Sequence, residues 1–125
     1  MFEVTRRTGF SAAHSLRGYK GKCEHLHGHN WVVLASVQSK ELNSLGMVID
    51  FHELDQYIKE ILSPLDHKFI NEVNPFDKIN PSAENIAKFI GDKLKEKLHK
   101  INLDYKVSKC EVRESENSFA TYYPD

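Results

Sequence analysis

No run of about 18 apolar residues occurs in the chain, and Met1 leads directly into an alternating segment without a charged-then-apolar leader. Neither a membrane span nor a secretory signal is expected. An excess of either charge is missing too. Seventeen Lys and Arg stand against 18 Asp and Glu, a formal net charge of -1, which gives no electrostatic ground for a nucleic acid or an acidic membrane as main partner. Cysteine is scarce: Cys23 and Cys110 could form one disulfide, but the histidines around Cys23 favour free thiols in a reducing compartment, and a cytoplasmic location is expected. Internal repeats, low-complexity tracts and linkers are absent. The 125 residues, 40% apolar, therefore suit one domain, 1–125, that hides roughly two thirds of its surface on folding.

What the chain does have is Lys22-Cys23-Glu24-His25-Leu26-His27-Gly28-His29. On an extended backbone alternate side chains share a face, so His27 and His29 can converge on one ion, with Gly28 leaving the other side uncrowded. Imidazole is a zinc ligand, and a catalytic zinc usually takes three protein ligands and keeps its fourth position open. His14, at the end of Phe10-Ser11-Ala12-Ala13-His14, is the candidate third ligand if its strand pairs with the one carrying the others. Zinc is the default ion, although nickel, cobalt or iron would also accept imidazole. Cys23, four positions before His27, is either a fourth ligand that closes the site or a free thiolate beside the metal. His25, His52 and His99 are read as ordinary surface or core residues.

The pattern along the chain gives the order strand, strand, helix, helix, strand, strand. The even positions from Phe2 to His14 are mostly apolar, a half-buried strand. Asn30 to Ser39 reads as a second strand, apolar on both faces and so expected to be covered on both. Asp50 is a candidate N-cap, with Glu53 completing a capping box, for a helix with the apolar stripe Leu54, Tyr57, Ile58, Ile61 and Leu62, stopped at Pro64. The stretch to Pro81 reads as a long polar loop. Ser82 caps a second helix whose inner stripe is Ile86, Phe89, Ile90, Leu94 and Leu98, with Asn102 as its stop. Tyr105 to Ser115 and Phe119 to Tyr123 form a closing hairpin. The class is α+β, a ββααββ chain with a four-stranded antiparallel sheet and two helices on one face. Two helices cover only one face of such a sheet, so open edges and an apolar face predict edge-to-edge self-association and a site at the subunit boundary.

Three further residues carry possible chemistry. Asp66-His67 is either a turn cap or a carboxylate-oriented histidine serving the thiol. Glu114 lies on the apolar face of Cys110 and Val112, where an inward carboxylate must find a partner; the alternative is a surface position on an edge strand. Cys110 is read as a small core residue.

Phe10 to His14, Cys23 to His29, Val48-Ile49-Asp50-Phe51, Leu65-Asp66-His67, Asn80 to Asn85 and Val112-Arg113-Glu114 together, in order over nearly the whole chain, resemble the 6-pyruvoyl-tetrahydropterin synthase superfamily. Three residues separate Cys23 from the His-Gly-His triplet, the spacing of the bacterial 6-carboxytetrahydropterin synthases, whereas the animal pyruvoyl enzymes have a longer spacer. The resemblance implies His14, His27 and His29 as ligands of Zn2+, Cys23 as proton acceptor, and Asp66 with His67 as a catalytic pair reached from the neighbouring subunit. Glu114 is implied as the pterin anchor and part of the charge relay. The implied fold is the tunnelling fold (T-fold), whose trimers close into a barrel and stack in pairs as a homohexamer. The implied reaction is that of a lyase converting 7,8-dihydroneopterin triphosphate to 6-carboxytetrahydropterin, acetaldehyde and triphosphate, for queuosine and other 7-deazapurines. Arg17, Lys20 and Lys22 are the nearby cations for the triphosphate. Ala83 departs from relatives that often carry a hydroxyl there. The rival readings are 6-pyruvoyl-tetrahydropterin formation on the same scaffold, a non-catalytic metal or pterin binder, and a structural zinc site closed by Cys23.

Overall fold

The computed structural model describes residues 1–19 and 25–124. Strands β1 (Phe2–His14) and β2 (His27–Ser39) are followed by helix α1 (Phe51–Leu62), a 3-10 turn at Ile70–Glu72 and helix α2 (Ala83–His99). Strands β3 (Lys106–Arg113) and β4 (Phe119–Tyr122) close the chain. The sheet is antiparallel throughout in the order β1-β2-β3-β4, so sequence neighbours are also neighbours in space.

Alternation sorts the two faces. Phe10, Ala12, Trp31, Val33, Ala35 and Val37 are buried on the side that receives the helices. From α1 come Leu54, Ile58 and Leu62, and from α2 Ile86, Ile90, Leu94 and Leu98. Each such side chain contributes roughly 1.5–3 kcal/mol on burial, and this packing fixes the helices far more firmly than their intrinsic propensity would. Val32 and Leu34, on the opposite face, are half-buried, so among the described residues that face lacks the second covering layer expected from the sequence.

The helix starts follow their caps. Asp50 Oδ1 accepts from the backbone N–H groups of His52 and Glu53, satisfying two of the donors a helix start leaves free. The Glu53 side chain does not reach back to complete the expected capping box; it accepts the Tyr57 hydroxyl one turn along the helix at 2.6 Å. Ser82 Oγ accepts from the Asn85 N–H. Helix α2 ends at His99, three residues before the expected stop; the Asn102 N–H bonds to the Leu98 carbonyl and its side chain accepts from Asp104.

Three features depart from the pattern. Strand β2 begins at His27 rather than Asn30, because His14 pairs with His27 across the ladder. The stretch to Pro81 is not simply a polar loop. Ile70 and Phe76 are fully buried, and the Ile70–Glu72 turn packs beside β1. In β3 the partner of Ser36 is Lys109 and that of Val37 is Val107. Ser108 is thus an extra residue, a bulge that puts Val107 on the same buried face as Cys110 and Val112.

Candidate metal centre

The register of β1 and β2 assembles three imidazoles. His14 is the cross-strand partner of His27, and Ala12 that of His29, so all three rings stand on the helix-covered face at one end of the sheet. Their centroids lie 4.5 Å (His14 to His27), 5.2 Å (His14 to His29) and 4.7 Å (His27 to His29) apart. Trp31, two residues beyond His29, meets His14 and His29 edge-on at 4.8 and 5.2 Å and stacks on Phe10. Its indole N–H is tied to the Ala12 carbonyl at 3.2 Å. The rings therefore rest on a rigid apolar support.

Backbone carbonyls set the tautomers. His14 Nδ1 donates to the Pro81 carbonyl and His27 Nδ1 to the His25 carbonyl, each at 2.7 Å. A carbonyl only accepts, so in the neutral rings both Nε2 atoms carry lone pairs. Those two atoms are 2.9 Å apart. Glu114 Oε1 joins them at 3.1 Å from His14 Nε2, 3.7 Å from His27 Nε2 and 2.8 Å from His29 Nε2. The His29 contact lacks hydrogen-bond geometry, and its buried Nε2 has no hydrogen-bond partner among the described residues. Burial lowers the His29 pKa, favouring the neutral ring that a metal requires.

Four electron-pair donors thus point at one spot, their atoms all within 4.8 Å of one another. Lone pairs at such distances repel unless positive charge sits among them. Four ligands about 2.0–2.1 Å from a tetrahedral zinc stand about 3.3 Å apart; the His14–His27 separation and the three from Glu114, 2.8–3.7 Å, bracket that value, and no donor pair exceeds 4.8 Å. The residues fit a zinc ion. Of the two positions the sequence left open for Glu114 the structure shows the inward one, with the carboxylate against the three imidazoles.

Asp66 and His67 occupy a different place. The turn after α1 runs along the outer edge of β1, with the Ser11 N–H donating to Asp66 Oδ1 at 3.0 Å and the His67 N–H to the Ser11 carbonyl at 2.6 Å. The Ala13 N–H continues the contact to the Lys68 carbonyl. His67 has φ 59, a left-handed conformation unusual for a side chain of its size, and its Nδ1 stands 2.9 Å from Asp66 Oδ1. The Ser11 N–H, more than any other group, holds the Asp66 carboxyl below its usual range. The imidazole is 81% exposed and lies outside the four-residue cluster.

Cys23, Lys20, Lys22 and Glu24 lie outside the described residues. Arg17 is described, and its terminal nitrogens donate to the carbonyls of Asn71, Phe76 and Ile79, so they fasten a loop rather than await a phosphate. The structure adds participants that sequence reasoning missed: the Pro81 carbonyl, the Trp31 support, and Asn71 and Asn80, each paired with the chain that leaves β1. Only the placement of Asn80 directly before Pro81 gave any signal of the last.

Residues 3–125 match the family of 6-pyruvoyl tetrahydropterin synthase. The chain belongs to that family. It is 34% identical to the 6-carboxy-5,6,7,8-tetrahydropterin synthase of Haemophilus influenzae, covering 98% of this chain and 99% of that one. It is also 34% identical to the 6-pyruvoyl tetrahydrobiopterin synthase of Homo sapiens, over 96% and 90%. The solved 6-pyruvoyl tetrahydropterin synthase of Caenorhabditis elegans superimposes with a TM-score of 0.87 at 26% identity, covering 99% and 96%. The T-fold expected from the resemblance is thereby observed for the single subunit, and the relatives support a tetrahydropterin synthase function for this family member. No helix among the described residues is long and apolar enough to cross a membrane.

Proposed function

We propose that the chain is a zinc-dependent 6-carboxy-5,6,7,8-tetrahydropterin synthase, a lyase acting on 7,8-dihydroneopterin triphosphate in the cytoplasm to supply queuosine and other 7-deazapurines. The observation that carries the reading is the convergence of His14, His27, His29 and Glu114 as donors with carbonyl-fixed tautomers in a member of this family. Zinc held there by the three imidazoles would supply Lewis acidity toward the side-chain hydroxyls of the substrate. Cys23 takes the carbon-bound proton beside them in its thiolate form, the nucleophilic and basic state of the side chain. His67, oriented by Asp66, moves protons at the oxygens or resets Cys23. Because His67 projects from the edge of its own subunit, it serves a neighbour's site in a homohexamer built as a dimer of trimers. Glu114 accepts the amino group and adjacent ring N–H of the pterin, for which its side chain turns away from the imidazoles.

Overall identity does not separate the two product classes, since the Haemophilus and human relatives score alike. That equality keeps 6-pyruvoyl-tetrahydropterin as the second reading, and the three-residue spacer after Cys23 favours the carboxy product. Mass spectrometry of products after adding 7,8-dihydroneopterin triphosphate to zinc-loaded protein tests both. Acetaldehyde with 6-carboxytetrahydropterin supports the first reading, a three-carbon pyruvoyl product the second, and unchanged substrate a non-catalytic binder.

A further inference from the structure

Beyond His14, where β1 has ended, two asparagine side chains take over the role of a partner strand. The Ser15 N–H donates to Asn71 Oδ1 and Asn71 Nδ2 donates back to the Ser15 carbonyl, both at 2.9 Å. Two residues on, the Arg17 N–H donates to Asn80 Oδ1 at 2.9 Å and Asn80 Nδ2 to the Arg17 carbonyl at 3.0 Å. Each amide is used as donor and acceptor at once, so neither can be flipped without opposing like groups. The Arg17 guanidinium then spans the loop between the two asparagines, bonding the carbonyls of Asn71 (3.1 Å), Phe76 (2.7 Å) and Ile79 (3.3 Å). The Asn80 carbonyl is itself held by Asn85 Nδ2 in the first turn of α2.

The loop so fastened ends at Pro81, whose carbonyl receives the Nδ1–H of His14 at 2.7 Å. His14 is 1% exposed, so with the loop in place solvent does not compete with the carbonyl for that proton. The position of one carbonyl therefore decides which nitrogen of the innermost ring faces the cluster. We propose that Arg17, Asn71 and Asn80 are positioning residues for the metal centre, holding the Pro81 carbonyl where it fixes His14 with its Nε2 lone pair turned inward. The metal part of this proposal rests on the zinc reading above; the tautomer part does not.

The test has two readouts on the purified full-length chain. In metal-free wild-type protein, long-range proton–nitrogen NMR should show His14 as a single Nδ1–H tautomer. In Asn80→Ala and Arg17→Ala that ring should give a mixture, and zinc affinity, measured by chelator competition, should fall about 10- to 100-fold, the usual cost of losing an outer-shell partner. Arg17→Lys should recover part of it by reaching one of the carbonyls. Ser108→Ala, which removes hydroxyl bonds to Glu3 and to the Ser36 carbonyl at the sheet's bulge, is the control for general destabilisation and should bind zinc within about twofold of wild type. Should Asn80→Ala fail to fold, the exposed Arg17 variants decide. An unchanged His14 tautomer with wild-type zinc affinity overturns the proposal, as does an equal affinity loss in Ser108→Ala. A wild-type chain that takes up no zinc sinks the functional reading, and the tautomer shift alone then judges the positioning claim.

Discussion

Alkylation of the zinc-loaded protein with iodoacetamide separates the two thiols, and with them the two possible roles of Cys23. Cys110 is fully buried on the inner face of β3, and burial pushes its pKa up to about 12. At pH 8 an unperturbed thiol with a pKa of about 8.5 is about one quarter thiolate. At a pKa near 12 the fraction is about one in ten thousand, so ionisation alone slows Cys110 by roughly 10³-fold, because the thiolate is the attacking species. Exclusion of the reagent from the core adds to this. The native protein should therefore show one fast thiol, mapped by peptide mass spectrometry to Cys23, and two thiols once unfolded. If Cys23 is the free base proposed above, its alkylation abolishes turnover while zinc stays bound, as a chromophoric chelator would report. Protection of Cys23 by zinc, or release of one zinc per thiol alkylated, would make the sulfur a ligand and refute the proposed proton acceptor. Equal rates at both cysteines would refute the burial argument itself.

His27→Ala removes one of two Nε2 atoms that lie 2.9 Å apart, and the protein should purify without stoichiometric zinc; full metal content by emission spectrometry would contradict its assignment as a ligand. Glu114→Ala should weaken binding of a pterin product by about 10- to 100-fold in calorimetry, from the roughly 1.5–3 kcal/mol of a charge-assisted hydrogen bond, and affinity equal to wild type removes the anchor role. Gly9→Ala would place a Cβ 2.7 Å from the Trp31 backbone carbonyl, where strand backbone cannot yield cheaply. A loss of about 1–3 kcal/mol in urea unfolding is expected, and an unchanged midpoint would show that the strands separate more easily than the packing implies.

Local signals read well where neighbours in sequence settle the structure. Strand β1 runs from Phe2 to His14 as its alternation indicated, and Asp50 and Ser82 cap the helices they precede. The histidine triad was legible because a His-x-His pair on a strand needs only one paired strand to bring in a third ring. What stayed hidden depends on contacts distant in sequence or on backbone atoms. The Pro81 carbonyl has no sequence signature, since every residue has one. Asn71 and Asn80 looked like ordinary loop polar residues until the chain beyond His14 was laid against them. Arg17 looked like a free cation near the anionic end of a substrate, and only the folded loop supplies the three carbonyls that occupy it. The Ser108 bulge escaped because Val107 and Cys110 differ in parity, and a strict period of two cannot put both inside.

The outer edge of β1 shows how far the pattern argument for self-association reaches. Alternation indicated two exposed edges, and β1 and β4 do flank the sheet. But the outward N–H and C=O of Ser11 and the N–H of Ala13 are already taken by the Asp66 to Lys68 turn, which the sequence could not reveal. That turn does two things at once. It seals the C-terminal part of the edge beside the histidines, and it displays His67 outward at that same place. Along β1, strand pairing by another subunit would thereby be confined to the N-terminal part, through Gly9, where the outward groups of alternate residues are of the kind an edge offers. A partner seated there would lie next to a histidine that its own chain leaves facing solvent, so the proposed subunit joint, if formed along this edge, would have the Asp66–His67 pair at its rim.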